Sequence, residues 1–173
     1  KNFISNKVVL GSYVNNAADA YDDLVTNLNL DRMKAMYDVN VFTPMMLTKY
    51  AIRNMLLHKT KGSIVHISSI SVHTGYKGLA MYASSKSAIE AFSKNTAREW
   101  GQLGIRSNVV VPGFMETAMS SSLTEEQRSK IYARTSLKAA TDVYSVAETV
   151  AFLISDKACS ITGQNVYVDN GTI

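Results

Sequence analysis

The sequence predicts an α/β fold in which a doubly wound parallel sheet lies between two layers of helices, a three-layer α/β/α arrangement. Short β-branched runs alternate along the chain with segments whose apolar residues recur at helical spacing, which is the pattern of βαβ units. Glycine and proline stand at the ends of these segments, where turns are expected. With 173 residues, 46% of them hydrophobic, the chain fits one domain with one buried core.

The predicted elements follow one another as strand, helix and strand. The predicted strands are 7–10, the short end of a second strand near 14, 64–67, 105–111 and 165–169. The predicted helices cover about 30–57 and 79–100, and two short helices are opened by the capping patterns at 124–127 and 145–148. Pro44 is expected to kink or break the first helix. Since parallel sheets bind ligands beyond the carboxyl ends of their strands, the polar residues at those ends predict the position of a site.

Charge and histidine content argue against two classes of function. The net charge is +4, but the 18 lysines and arginines are scattered, and the densest basic cluster is only 58–61. This distribution does not predict a nucleic-acid surface. The three histidines lack the spacing and the cysteine partners of a zinc site, so no metal is expected.

Hydropathy and cysteine content predict where the protein works. No apolar run approaches the roughly 20 residues that cross a bilayer, and the first residues lack the layout of a signal peptide. The single cysteine, Cys159, rules out an internal disulfide and suits a reducing compartment. We therefore expect a cytoplasmic protein without a membrane partner, in which Cys159 is a small buried residue.

Ser69, Tyr82 and Lys86 form the most informative group of side chains. Tyr82 and Lys86 are four residues apart on a predicted helix and share one face of it, while Ser69 follows a predicted strand. A neighbouring ammonium favours phenolate, so Lys86 is expected to lower the pKa of Tyr82 toward neutrality and make it a general acid or base. Alone, this tyrosine–lysine spacing is weak, because the chain has nine tyrosines and a lysine can simply pack along one of them.

The surrounding sequence strengthens the assignment. The string GSIVHISSISVHTGYKGLAMYASSKSAIEAFSKNTAREW resembles the active-site region of the short-chain dehydrogenase/reductase family. Further stretches resemble other family motifs in the same order, namely VNNA, DVNVF, VVVPGFMET and SITGQNVYVDNG. The resemblance covers about residues 13–172 and implies a Rossmann-like domain that binds NAD(P).

The resemblance assigns the catalytic roles by matching position. Ser69 matches the serine that orients and stabilises the substrate oxygen, and Ser68 is a weaker candidate. Tyr82 matches the general acid and base, and Lys86 matches the lysine that tunes it and binds the nicotinamide ribose. Asn40 matches the asparagine whose helix distortion anchors a water in the proton relay, although without the other motifs it is better explained as a polar residue at a helix break.

The resemblance also implies a nicotinamide cofactor, NADP(H) more than NAD(H). Besides Tyr82 and Lys86, the matching cofactor-binding positions are Asn16, Ala17, Pro112, Gly113, Met115 and Thr117. The first two match the turn beside the adenosine ribose, and the others match the stretch that holds the carboxamide and a phosphate. Ala18 departs from the family pattern, which usually has glycine there.

The expected substrate site lies under a flap formed by residues 114–141. Ser69, His73, Tyr76 and Met119 are the candidate substrate contacts. Within the family, PGFMETAM and the short C-terminal region look most like β-ketoacyl-(acyl carrier protein) reductases, which reduce a 3-oxoacyl thioester with NADPH.

At two positions the sequence differs from the β-ketoacyl-(acyl carrier protein) reductases, so other substrates are also considered. Those reductases grip the acidic carrier with arginines, where this chain has Lys61 and Leu103. A reductase of another carbonyl, or a dehydrogenase of a sugar or other secondary alcohol, is therefore the alternative. Acyl carrier protein is a possible partner only if the protein is a β-ketoacyl reductase.

The stretch KVVLGSYVNNAAD, residues 7–19, raises a question about completeness. It resembles the family's first strand joined directly to the end of its fourth, and the nine glycines of the chain form no phosphate-binding loop. We predict an incomplete NAD(P)-binding domain over 1–173, with a segment that holds strands 2 and 3 missing between Ser12 and Tyr13. The alternative is a catalytically inactive family member that serves as a binding or assembly subunit, which the retention of Asn40, Ser69, Tyr82 and Lys86 argues against.

The resemblance finally implies self-association. Helix 79–100 is expected to pair with a copy of itself across a two-fold axis, as in family dimers and tetramers. The protein is therefore predicted to be a homodimer or homotetramer.

Overall fold

A computed structural model of the chain describes residues 8–117, 120 and 123–173. Its described part contains one four-stranded sheet, in which each strand is parallel to its neighbours and the spatial order follows the chain. The strands are β1 (Ser12–Asn15), β2 (Gly62–Ile67), β3 (Ile105–Pro112) and β4 (Asn165–Val168). Because parallel neighbours need long crossovers, helices connect all four strands.

In these crossovers the described residues form six α-helices. They are α1 (Leu30–Tyr37), α2 (Thr43–Leu57), α3 (Ser71–Thr74), α4 (Ala80–Trp100), α5 (Glu125–Tyr132) and α6 (Val143–Ile154). A π-helical segment, Asp38–Phe42, joins α1 to α2. Short 3₁₀ turns occupy Val25–Asn27, Gly101–Leu103 and Asp156–Ala158.

Two cores cover the two faces of the sheet and confirm the predicted three layers. Successive residues of a strand point to opposite faces, so Ile64 and Val65 of β2 enter different cores. Ile64 packs with Ile52 and Met55 of α2 on one face. On the other face Val65 packs with a cluster that includes Val146 and Leu153 of α6. The sheet is therefore doubly wound, as the alternation of strands and helices predicts.

The predicted strand over 7–10 is wrong for the residues that are described, Val8–Leu10. Val8 and Val9 are 53% and 55% exposed, and the Asn54 side chain bonds the backbone of Val8 and Leu10. This amide takes the place of a neighbouring strand, so the valines gain no buried face. The strand begins instead at Ser12 and runs through Tyr13, opposite Ser63 and Ile64 of β2. The missing segment between Ser12 and Tyr13 stays a prediction.

The break in the long helical segment lies before the position predicted from Pro44. The chain widens into the π-helical turn at 38–42, and Pro44 stands in the first turn of α2, where its missing N–H is tolerated. This turn places the Asn40 side chain inward, 1% exposed. Pro44 therefore lies at the start of α2, as its missing N–H allows. The distortion that turns Asn40 inward is the π-helical turn before it.

Three further expectations meet different outcomes. The capping box at Thr124 and Gln127 opens α5 as predicted, with both reciprocal hydrogen bonds present. Helix α6 begins before the predicted Ser145, because the Asp142 carboxylate accepts from the backbone of Tyr144 and Ser145. Cys159 is exposed, so its predicted burial is wrong.

Within the described ranges, no helix is long and apolar enough to span a membrane.

Candidate active site

Polar residues converge where β2 and β3 end. Strand β2 stops at Ile67 and is followed by Ser68 and Ser69, and the loop then leads through α3 to α4. The backbone of this loop stays attached to β3, since the N–H groups of Ser68 and Ile70 donate to the carbonyls of Val110 and Pro112, each over 2.9 Å. The carboxyl edge of the sheet thus holds Ser69 against the first turn of α4, which carries Tyr82.

Ser69 lies close enough to Tyr82 to affect the ionisation of its phenol. The Ser69 hydroxyl hydrogen-bonds the Tyr82 phenol, which lowers the pKa of that phenol. The same Ser69 oxygen accepts from the Ser71 N–H over 3.2 Å and from the Ser71 hydroxyl over 3.0 Å. With two donors held by Ser71, the proton of Ser69 is directed at the phenol or at a ligand oxygen beside it.

Lys86 lies one helical turn beyond Tyr82 and is 3% exposed. Its ammonium donates to the carbonyl of Ile67 over 3.0 Å and lies 5.7 Å from the centroid of the Tyr82 ring. Burial lowers the pKa of Lys86 from 10.5 to about 8, because the charged form loses solvation. Among the described residues, the ammonium makes one hydrogen bond, to Ile67, so two of its three donors can serve a bound ligand.

Burial also raises the pKa of Tyr82 above 10.0, and this effect exceeds the opposing hydrogen bond from Ser69. The charge of Asp22 raises the pKa of Tyr82 further. The prediction that Lys86 brings this pKa toward neutrality is therefore wrong for this structure. At neutral pH the phenol carries its proton, which is the form that can donate to a carbonyl oxygen.

Asn40 connects the loop after β1 to α4. Its amide donates to the Asp19 carbonyl over 2.8 Å and to the Ser85 hydroxyl over 3.0 Å, and its oxygen accepts from the Asp19 N–H over 2.8 Å. Ser85 in turn donates to the Tyr82 carbonyl over 2.7 Å. These bonds explain why the π-helical turn is stable at this position, since they satisfy an amide that is almost wholly buried.

The candidate cofactor-binding residues lie along the same sheet edge. Asn16 and Ala17 directly follow β1 and are exposed, whereas Pro112 ends β3, Gly113 follows it, and both are buried. Beyond them, the Ser120 hydroxyl bonds the Met115 carbonyl over 3.1 Å and accepts from the Thr117 N–H over 3.0 Å. The sheet therefore brings both stretches to one edge.

Gly113 is packed too tightly for any side chain. A Cβ at this position would lie 2.5 Å from the Thr141 hydroxyl oxygen and 2.7 Å from the Asp169 Cα. The sequence pattern that singles out Gly113 thus has a steric basis as well as the functional one implied by the resemblance.

Gly113→Ala is expected to destabilise the folded protein by about 1–3 kcal/mol, because the added methyl must displace the backbone of β4's end. Chemical denaturation measures the effect as a lower midpoint. Gly11→Ala is the matched control, since a Cβ there meets no atom within 4 Å. Equal midpoints for the two variants would contradict the close packing described here.

The candidate substrate residues separate into three cases. Tyr76 lies under the guanidinium of Arg134, 5.3 Å from the ring centroid, and packs against Ile70 and Val111. His73 is turned away toward Glu90 and Tyr167, with its Nε2 3.1 Å from the Glu90 carboxylate. Met119 lies outside the described residues. Tyr76 is therefore the candidate whose position fits a wall beside Ser69.

Two residues of the site escaped the sequence reasoning. Glu90 accepts hydrogen bonds from Ser68, His73 and Asn165, and Asp22 raises the pKa of Tyr82 through its charge. Glu90 lies one further turn along α4 from Lys86, so helical spacing was the available signal. Asp22 lies in an irregular loop, where no residue spacing in the sequence indicates that it is near Tyr82.

Comparison with known proteins agrees with this geometry. A family model described as enoyl-(acyl carrier protein) reductase matches residues 9–172. The 3-oxoacyl-[acyl-carrier-protein] reductases of Salmonella typhimurium and Escherichia coli are 37% and 36% identical to this chain over 158 residues, or 91% of it. The chain spans 64% of the length of these two relatives.

Solved structures of dehydrogenases and of a reductase have a fold similar to that of this chain. A 4-hydroxyisoleucine dehydrogenase in complex with NADH superposes with a TM-score of 0.92 and 30% identity, covering 96% of this chain and 69% of that one. A putative gluconate dehydrogenase from Agrobacterium tumefaciens gives 0.91 and 28%, covering 95% and 66%. A putative β-ketoacyl-ACP reductase gives 0.85 and 29%, covering 94% and 68%. Sequence, fold and site geometry together place this chain in the short-chain dehydrogenase/reductase family.

Proposed function

We propose that the natural protein is an NAD(P)H-dependent oxidoreductase that reduces a carbonyl to a secondary alcohol, with a 3-oxoacyl thioester as substrate and a 3-hydroxyacyl thioester as product. The observation that supports this most is the convergence of the Ser69 hydroxyl, the Tyr82 phenol and the Lys86 ammonium at one sheet edge. The identity to 3-oxoacyl-[acyl-carrier-protein] reductases supports the substrate class.

The proposed chemistry divides between the protein and a nicotinamide cofactor. The cofactor, when bound, supplies the hydride that reaches the carbonyl carbon. Ser69 holds the carbonyl oxygen by hydrogen bonding, and Tyr82 delivers its proton to that oxygen as the alcohol forms. Lys86, with donors to spare, hydrogen-bonds the ribose and stabilises the negative charge left on Tyr82.

The residues present fit the nicotinamide half of such a cofactor. Lys86 places an ammonium beside the Tyr82 ring, and Pro112 and Gly113 lie where β3 ends at the same edge of the sheet. We propose that Pro112, Gly113, Met115 and Thr117 hold the nicotinamide side. Asn16 and Ala17 are proposed to contact the adenosine ribose.

The phosphate-binding half is proposed to lie in a segment that this sequence lacks between Ser12 and Tyr13. The chain has no glycine-rich phosphate loop, and it spans 64% of the length of the first two relatives named above. The same segment would choose between NADP(H) and NAD(H), of which we propose NADP(H). The intact mass of the natural polypeptide tests the proposal: a mass several kilodaltons above 19.0 kDa supports it, and 19.0 kDa contradicts it.

The function is tested by cofactor oxidation with a panel of carbonyl substrates. The full-length natural protein is mixed with NADPH or NADH and with 3-oxoacyl thioesters, small ketones or oxidised sugars. Turnover that is fastest with NADPH and a 3-oxoacyl thioester is the expected result. No turnover with any member of the panel would defeat the proposal and favour an inactive assembly subunit.

A second candidate function is the oxidation of another secondary alcohol. It is favoured by the absence of arginine at positions 61 and 103 and by the high TM-scores to two dehydrogenases of other alcohols. The same panel, run with sugar acids or hydroxy amino acids and oxidised cofactor, distinguishes the two. Faster turnover there than with 3-oxoacyl thioesters would select the second candidate.

We also propose that the protein forms a homodimer or homotetramer through the face of α2 and α4. This face carries a groove whose apolar lining includes Ile52, Leu56 and Trp100, and Leu56 is 36% exposed. Lys49, Arg53 and Glu99 also line the groove. An acidic partner such as acyl carrier protein is proposed to bind elsewhere, since this apolar groove suits a copy of the chain.

Sedimentation velocity tests the assembly. The wild-type protein is expected to sediment as a dimer or tetramer, and Leu56→Lys is expected to shift it toward the monomer by placing a charge in the groove. Leu137→Lys is the matched control, because Leu137 is a 71% exposed leucine that belongs to neither helix and does not line the groove. A monomeric wild-type protein would contradict the proposal.

A further inference from the structure

The Glu90 carboxylate is mostly shielded from solvent and accepts hydrogen bonds from three side chains. It accepts from the Ser68 hydroxyl over 2.5 Å, from the His73 ring over 3.1 Å and from the Asn165 amide over 2.7 Å. Its side chain is 10% exposed. Among the residues that the structure describes, no lysine or arginine lies within ion-pair distance of it. A carboxylate held by charge-assisted hydrogen bonds alone fixes the positions of its donors strongly.

Two of these donors flank Ser69 in the loop between β2 and α4. Ser68 directly precedes it and is 3% exposed, and His73 lies at the other end of the short helix α3. Both bonds reach the same oxygen of Glu90, Oε1. Glu90 therefore clamps the loop on either side of Ser69.

The third donor and an aromatic contact connect the clamp to the edge strand. Asn165 begins β4, and Tyr167 of the same strand packs edge-on against the His73 ring, with ring centroids 5.2 Å apart and planes at 73°. Since Glu90 can only accept, His73 presents an N–H at Nε2. The His73 ring therefore contacts both α4 and β4.

Tyr82, Lys86 and Glu90 lie on successive turns of α4. The first two carry the proposed proton chemistry, and the third holds the loop of the serine that must face them. A shift of Ser69 by a fraction of an ångström relative to Tyr82 would weaken their shared hold on a carbonyl oxygen.

We propose that Glu90 is a positioning residue that sets the distance between Ser69 and Tyr82. The inference rests on the proposed reductase function. It assigns to Ser68 and His73 the role of links in this clamp rather than contacts of the substrate.

Steady-state kinetics of the full-length protein give the first test. Glu90→Ala is expected to lower kcat about tenfold or more, with the KM for NADPH unchanged, because the loop loses its shared acceptor. Glu90→Gln is expected to stay within about threefold of wild type, since its amide oxygen still accepts from Ser68 and His73 while Asn165 can turn its amide. Glu148→Ala, an exposed carboxylate on α6, is the matched control. A wild-type kcat in Glu90→Ala would overturn the proposal.

A double-mutant cycle separates positioning from a general loss of structure. If Glu90 acts through Ser69, then Glu90→Ala should cost less than about twofold in a protein that already carries Ser69→Ala. A cost as large as in the wild-type background would show that Glu90 acts on something else and would overturn the proposal.

Amide hydrogen exchange tests the clamp without any turnover. Glu90→Ala is expected to accelerate exchange over 69–74 about tenfold or more, and Glu90→Gln is expected to restore protection. Unchanged exchange in Glu90→Ala would overturn the clamp. If the wild-type protein turns over no carbonyl yet shows this exchange pattern, the proposed function fails and the clamp stands.

Discussion

Tyr82→Phe in the full-length protein is expected to lower kcat for carbonyl reduction about 10²–10⁴-fold, with a small change in KM. The variant keeps the ring, which packs beside the cluster of Tyr21, Met36 and Met81, so the fold should persist. It removes the phenolic proton that Ser69 and the buried surroundings hold ready for a carbonyl oxygen. The loss should therefore fall on the chemical step rather than on binding.

Tyr144→Phe is the matched control for this experiment. Tyr144 is 80% exposed on α6 and lies outside the site, so its variant should retain wild-type activity. Comparable thermal midpoints for both variants would show that the loss is chemical. Equal kcat in Tyr82→Phe and wild type would remove Tyr82 from the mechanism.

The folded protein is expected to lose stability as the pH falls from about 6.5 toward 4, and His66 is expected to cause much of that loss. His66 is fully buried in β2 between the rings of Tyr13 and Phe92. Neither of its ring nitrogens has a hydrogen-bond partner among the described residues. Burial, and then the charge of Lys86, lower the pKa of His66 from 6.5 to about 4.

The sign of the effect follows from this lowered pKa. Between pH 4 and 6.5, His66 binds a proton in the unfolded chain but not in the folded one. The free energy of unfolding therefore rises with pH across this window and reaches its full value above it. A difference of that size corresponds to at most about 3 kcal/mol.

Urea denaturation at neutral pH and near pH 5 measures this dependence. His66→Leu, which removes the titrating group but keeps an apolar side chain, should show a much smaller drop in the free energy of unfolding. His58→Gln leaves His66 in place and should keep the wild-type drop. An unchanged pH dependence in His66→Leu would show that other groups are responsible.

The layout of the sheet and the reacting groups could be predicted because local patterns specify them. Strong β-branched runs such as 105–111 can form little but a buried strand, and their ends place Ser69 and Gly113 at one edge. Helical spacing puts Tyr82 and Lys86 on one face of α4 whatever surrounds them. These features depend on neighbours in sequence.

The remaining features depend on contacts that sequence spacing does not encode. The π-helical turn at Asn40 requires Asp19 and Ser85, which come from distant parts of the chain. The raised pKa of Tyr82 depends on how deeply the packed structure buries the phenol. The Glu90 clamp joins three separate elements, and the chain near Val8 and Val9 loses its predicted strand to a side chain of α2. Each of these features therefore depends on tertiary contacts or on burial in the folded chain.

The proposed function depends most directly on hydride transfer to a carbonyl carbon at the Tyr82 site. The measurement is the mass of the product formed from a 3-oxoacyl thioester by the full-length protein with NADPH that carries deuterium at its transferable position. The expected product is a 3-hydroxyacyl thioester with that deuterium on the former carbonyl carbon, formed by the wild type and about 10²–10⁴-fold more slowly by Tyr82→Phe. Unchanged substrate from the wild type, or an alcohol without the label, would contradict the proposed function.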